Sequence, residues 1–189
     1  MWFRIIMVLT VLATPVSSAE ADSPCNLGDQ MMFQTVAELF DGPWDVHNLG
    51  GFTVIDGRVA AIPGSNVAEP TLITVSDEGR NIVMSSSNIE EPIQIEWAEE
   101  ALWVFEGAEV EGVPDPVMSI EDQQILTGCP NNELARLVGT TQEMLGEEPN
   151  TVTYRMMILG EDIIHGFIQT SGTFGGKSIL GYVEISLTR

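Results

Sequence analysis

The sequence predicts an all-β chain: an antiparallel up-and-down meander that closes into a barrel, with one short helix near the N-terminus. Three observations predict it. Between Thr151 and Arg189, three consecutive segments alternate apolar and polar residues, the signature of strands with one buried face. Short turn sequences separate such segments, among them Asp56-Gly57, Gly160-Glu161-Asp162 and the Gly-rich bend at 172–176; turns this short make consecutive strands antiparallel neighbours. Read this way, the chain holds about ten short strands, and a sheet of that many curls and closes to remove its edges.

The first segment is read as processing rather than structure. Residues 1–19 form a secretory signal peptide: Arg4 is the positive flank, Ile5 to Ala13 the apolar stretch, and Ser17-Ser18-Ala19 a small-residue cleavage site. Ala19-Glu20-Ala21 offers a second cut, after Ala21. The apolar stretch falls short of the roughly 20 residues a bilayer span needs, so no membrane insertion is expected and the mature chain should be soluble. Residues 20–28 read as a loose arm and 29–189 as a single β-barrel domain. A chain of this size buries roughly 70% of its unfolded surface and needs no staple to fold. The two cysteines, Cys25 and Cys129, both lie beyond the leader, and in an exported chain a pair defaults to a disulfide. Together these place the protein in the periplasm or outside the cell.

Lys and Arg number 7 against 28 Asp and Glu, for a net charge of −21. That excludes nucleic acid, whose binding needs clustered cations, and disfavours anionic membrane surfaces. The acids are spread along the chain rather than blocked, as in a charged solvated surface.

Taken in order, Asp29 caps a helix running to Phe40, with Met32, Val36, Leu39 and Phe40 at helical spacing. Gly42-Pro43 stops it, and Trp44 opens the first strand. Phe52–Ile55 and Arg58–Ile62 flank Asp56-Gly57, a two-residue type I′ signal. Thr71–Ser76 and Arg80–Ser86 form the next hairpin. Parity there favours the register that sets Val75 against Ile82 and Ile73 against Met84, since a one-residue slip would turn every side chain over. Ile93–Trp97 and Leu102–Glu106 surround Glu99-Glu100, and the side-chain pattern admits either an even or an odd loop. Val117–Ile120 and Gln123–Thr127 read as a weaker hairpin. Glu133–Val138 is compatible with a short helix or with the start of a strand reaching Met144. The C-terminal meander follows.

A helical turn running into Gly42-Pro43-Trp44, followed by a β-meander in an exported chain, resembles the lipocalin and wider calycin family over about residues 38–189. The family's second motif, Thr-Asp-Tyr, is represented only by Thr153-Tyr154. The resemblance implies a lipocalin-like barrel whose Trp44 plugs one end under a basic residue, Arg189 or Arg155, and a cup that binds a small apolar molecule.

No catalytic constellation assembles from these residues, so enzyme activity, cofactors and metals are not expected. Gly175-Gly176-Lys177-Ser178 lacks the first glycine of a phosphate loop, Ser171 standing in its place, and leads into a strand rather than a helix. Two cysteines and two distant histidines lack zinc-ligand spacing. Adjacent glutamates, at Glu90-Glu91, Glu99-Glu100 and Glu147-Glu148, fall at predicted turns, where they are expected to point to solvent. If the barrel is hollow, its lining is Ile73, Met84, Trp97, Met156, Ile158, Val183 and Ile185, with Tyr154 and His165 as the polar groups that orient a ligand. The competing role for His165 is a hydrogen-bonded structural imidazole. Two functions compete: a carrier of a small apolar ligand, and an envelope interaction protein or barrel-type protease inhibitor that meets a protein partner through surface and loops.

Overall fold

A computed structural model describes residues 24–89, 91–98 and 119–189. The predicted signal peptide, residues 20–23 of the predicted arm, the Glu99-Glu100 loop and the predicted strand Leu102–Glu106 lie outside the described residues.

Helix α1 spans Gln30–Val36. Asp29 caps it, accepting from the amides of Met31 at 2.9 Å and Met32 at 3.1 Å. Over Ala37–Phe40 the chain tightens into a 3-10 turn, which puts Phe33, Ala37 and Phe40 on one buried face. Nine strands follow among the described residues: β1 Gly42–Ile55, β2 Arg58–Ile62, β3 Glu69–Ser76, β4 Asn81–Ser86, β5 Ile93–Trp97, β6 Arg136–Leu145, β7 Glu148–Gly160, β8 Ile163–Phe174 and β9 Lys177–Thr188. All pairings are antiparallel.

Eight strands, β1 and β3 to β9, form a closed ring. It closes where β9 pairs with β1 from Asp45↔Thr188 to Ile55↔Ile179. Strand β1 can join three neighbours because it is long and irregular. Its first half, Gly42 to Val46, pairs with β3, and its second, Gly51 to Ile55, with β2. Between them the register against β9 shifts at Asn48/Gly50. Gly50 takes a positive φ of 111° there, and its amide donates to Asn48 Oδ1 at 2.8 Å, the geometry of a bulge that bends a strand. Strand β2 hangs off the ring behind a turn in which Asp56 and Gly57 both have positive φ, as a type I′ hairpin requires.

The β3–β4 register is the one parity favours, Val75↔Ile82 and Ile73↔Met84. The C-terminal meander stands as three strands of 12 or 13 residues. Two expectations change. Over its described residues the weak hairpin read at 117–127 is a helix, α2, Ile120–Thr127; residues 117–118 lie outside the described residues. Ser119 and Asp122 bond reciprocally at its start and Gly128 ends it with a left-handed φ of 72°. This capping box competes successfully with strand propensity. Glu133–Val138 resolves into a short 3-10 turn, Asn131–Glu133, and then β6.

Two apolar clusters result among the described residues. The larger fills the barrel, from Phe33, Phe40 and Trp44 at the helix end through Ile73, Ile95, Met156 and Ile158. The smaller lies outside the wall, where Cys129, Leu134, Met157, Phe167 and Tyr182 bury the outer faces of β7, β8 and β9. The Cys25–Cys129 disulfide, spanning 104 positions of sequence, sits there and pins the N-terminal arm to the barrel.

Candidate functional site

The helix end of the barrel is shut. Trp44, 2% exposed, donates from Nε1 to the Phe40 carbonyl at 3.0 Å. Arg189 lies over its ring, 4.3 Å from the centroid. Arg155, the other basic residue considered for that place, instead donates to Gln169 Oε1 at 2.6 Å.

The barrel is not filled to its other end. A cavity of about 200 Å³ lies within the ring. Its floor is apolar: Val46 and Leu187, paired across β1 and β9, with Met84, Ile168 and Ile185. Its rim is polar: Glu69 and Thr71 from the start of β3, Ser86 at the end of β4 and Asn88 just beyond it, Glu143 from β6 and Tyr154 from β7. Strand alternation explains the set. Glu69, Thr71 and Ile73 share one face of β3, and Glu143 shares the inward face of β6 with Leu137 and Gly139. Gly139 stands opposite Tyr154 in the β6–β7 register. A side chain at 139 would run into Ile93 and Ile95, so the glycine leaves this part of the interior to the tyrosine and its apolar neighbours.

Tyr154 is 8% exposed. Its phenol pKa is pushed up, first by burial and then by the negative charges of Glu143 and Glu69, so it stays a protonated donor. No Lys or Arg among the described residues lines this cavity.

The predicted lining is only partly brought together. Met84, Tyr154 and Ile185 line the cavity. Ile73, Met156 and Ile158 point inward but are packed solid in the core, with Val183 against its edge. Trp97 faces inward at the plugged end, its ring 5.6 Å from that of Phe33. His165 is not inside. Met157↔His165 is an outward pair, since Met156↔Gly166 and Ile158↔Ile164 are the inward ones. The imidazole meets the edge of Phe167 and lies 3.2 Å from Glu184. Burial pushes its pKa down, with Glu184 opposing. Of the residues the lining prediction missed, Ile168 and Leu187 follow from continuing the inward alternation two positions along β8 and β9.

Outside the wall, a wider and more open depression of about 460 Å³ lies between the β1–β2 hairpin and the sheet, bordered by Phe52, Phe167, Tyr182 and Glu184. The Gly175-Gly176 segment is the β8–β9 hairpin turn, both glycines at positive φ, with Gly176 N donating to Glu148; it is not a strand-to-helix phosphate loop.

The plugged, eight-stranded antiparallel barrel is compatible with a lipocalin-like fold. Comparison with protein-family models, with curated proteins and with solved structures finds no match.

Proposed function

We propose that this chain is an exported, lipocalin-like carrier that holds one small, largely apolar molecule in the open end of its barrel. The cavity carries the reading: about 200 Å³ with an apolar floor inside a closed wall. An apolar cavity of about 150 Å³ suffices for benzene, so the cup suits one ring with a short substituent. Export is supported by the leader-like residues 1–19 and by the Cys25–Cys129 disulfide. No helix among the described residues is long and apolar enough to cross a membrane.

Calorimetric titration with 2-phenylethanol tests the reading. Saturable one-to-one binding is expected, and Ile168→Trp, which fills the cavity from a half-buried lining position, should abolish it while the fold persists. If the wild type binds no small apolar probe, the carrier reading fails. The outer depression beside Phe52 and Tyr182 would then favour the alternative, an interaction protein that meets an envelope partner through its surface.

A further inference from the structure

The depression beside the β1 bulge, outside the wall, is built by cross-strand register. Phe167 of β8 stands opposite Glu184 of β9, and Glu184 stands opposite Gly50 of β1. Two residues along the same outward face, Tyr182 stands opposite Phe52, their rings 5.1 Å apart. Gly50 ends the first row without a side chain, and its φ of 111° favours glycine there. The result is an open space of about 460 Å³, more than twice the 200 Å³ of the lumen. Phe167 and Tyr182 are buried beneath it, while Leu49 at its border is 50% exposed and Phe52 half-buried.

The charge here has one sign. Glu184 is the one ionised residue among the described residues that line the depression, and no Lys or Arg lines it. Its Oε1 lies 3.2 Å from His165 Nε2. Burial pushes the pKa of that imidazole down, so at neutral pH the ring does not neutralise the acid. Arg155, opposite Phe167 on β7, donates to Gln169. A carboxylate has about four acceptor sites, so Glu184 can serve His165 and a ligand together.

We propose that this depression docks an arginine side chain presented by a protein partner, its guanidinium against the Phe52 ring and paired with Glu184. The site is separate from the cup and stands or falls without the carrier reading. Three features select this occupant. Aromatic faces attract a cation. A guanidinium is planar, weakly hydrated and forked, so it stacks on a ring and bonds a carboxylate at two points, which an ammonium does not. A space larger than the lumen leaves room for main chain on either side of the arginine, which favours a peptide over a free guanidinium compound. The net charge of −21 also draws basic partners to the surface.

The test is a matched series of capped tripeptides, Ala-X-Ala with X as arginine, lysine or citrulline, and ethylguanidinium. Each is titrated into the disulfide-bonded protein at pH 7 and followed by methyl NMR. The arginine peptide should shift Leu49 and Ile62, which border the depression. It should bind about tenfold or more tighter than the citrulline peptide, the scale of a hydrogen bond to a charged group, and tighter than the lysine peptide or ethylguanidinium. Glu184→Gln should remove the advantage of arginine over citrulline. Leu49→Lys, at an exposed position where the fold persists, should set a like charge in the depression and abolish arginine binding. Equal binding of the arginine and citrulline peptides overturns the site, and so do shifts that miss Leu49 and Ile62. Equal binding of arginine and lysine overturns guanidinium recognition, and ethylguanidinium binding as tightly as the peptide overturns the protein partner. None of these outcomes touches 2-phenylethanol binding in the cup.

Discussion

Arg189 and Trp44 lock the closed end of the barrel together. The guanidinium stacks 4.3 Å above the indole and donates to the carbonyls of Leu39 at 2.7 Å and Asp41 at 2.8 Å. Trp44 Nε1 takes the carbonyl between them, that of Phe40. The last carbonyls of a helical segment have no partner within it. Here two side chains from β1 and the end of the chain satisfy three in succession. The plug is thereby joined to both ends of the barrel strand order.

Trp44→Ala should therefore cost about 3–5 kcal/mol, as for any large buried aromatic. Arg189 is exposed, so Arg189→Ala should cost less, about 1 kcal/mol, the scale of an exposed cation–π contact. Denaturant unfolding of the two variants checks the ranking. A loss under about 1 kcal/mol for Trp44→Ala, the range of surface changes, would contradict the plug.

Removing the Cys25–Cys129 bond by a double Ser substitution should cost about 2–4 kcal/mol. The bond sits in the outer cluster with Leu134 and Phe167, not in the barrel wall. Probe binding in the cup should survive reduction at temperatures where the β-sheet circular dichroism persists. Binding lost while that signal remains would mean the outer cluster shapes the lumen.

His165 makes stability depend on pH. Burial lowers its folded pKa below the ordinary 6.5, with Glu184 opposing. Native protein therefore binds fewer protons than unfolded chain in the window below pH 6.5. The stability linked to this group is full above 6.5 and is lost as pH falls through the folded value. His165→Gln should flatten that loss, so the wild-type advantage shrinks from pH 7.5 to pH 5 when denaturation midpoints are compared. A difference that stays constant over that range would rule the assignment out. Because the ring lies on the outer face, the same substitution should leave probe affinity in the cup unchanged.

Much of the fold was legible because one physical rule carried it. Where one sheet face is buried and the other solvated, alternation sets the register, and Val75↔Ile82 followed from parity alone. Asp56-Gly57 and the cysteine pair were readable for equally local reasons. The failures came where that contrast disappears. In β8, His165 and Phe167 on one face are as buried as Ile164 and Gly166 on the other, because the disulfide-linked segment covers the outside. Apolar pattern then cannot choose a face, and reading the sequence alone allows His165 to be placed inward. Helix α2 lacks an apolar stripe: Ile120, Ile125 and Leu126 are exposed and Gln123 is its buried residue. Only its capping box marked it. Glu69 and Glu143 sit near the ends of their strands, where an acid normally reads as a solvated terminus. Their place at the rim depends on which strands the closed ring brings together.

The most direct test of a ligand-binding lumen is a methyl NMR titration of the wild type with 2-phenylethanol. The account predicts saturable shifts at Met84, Ile168, Ile185 and Leu187, which line the cavity, and none at Leu159 and Leu180 in the outer cluster. An absence of shifts, or shifts confined to the outer cluster, would contradict it.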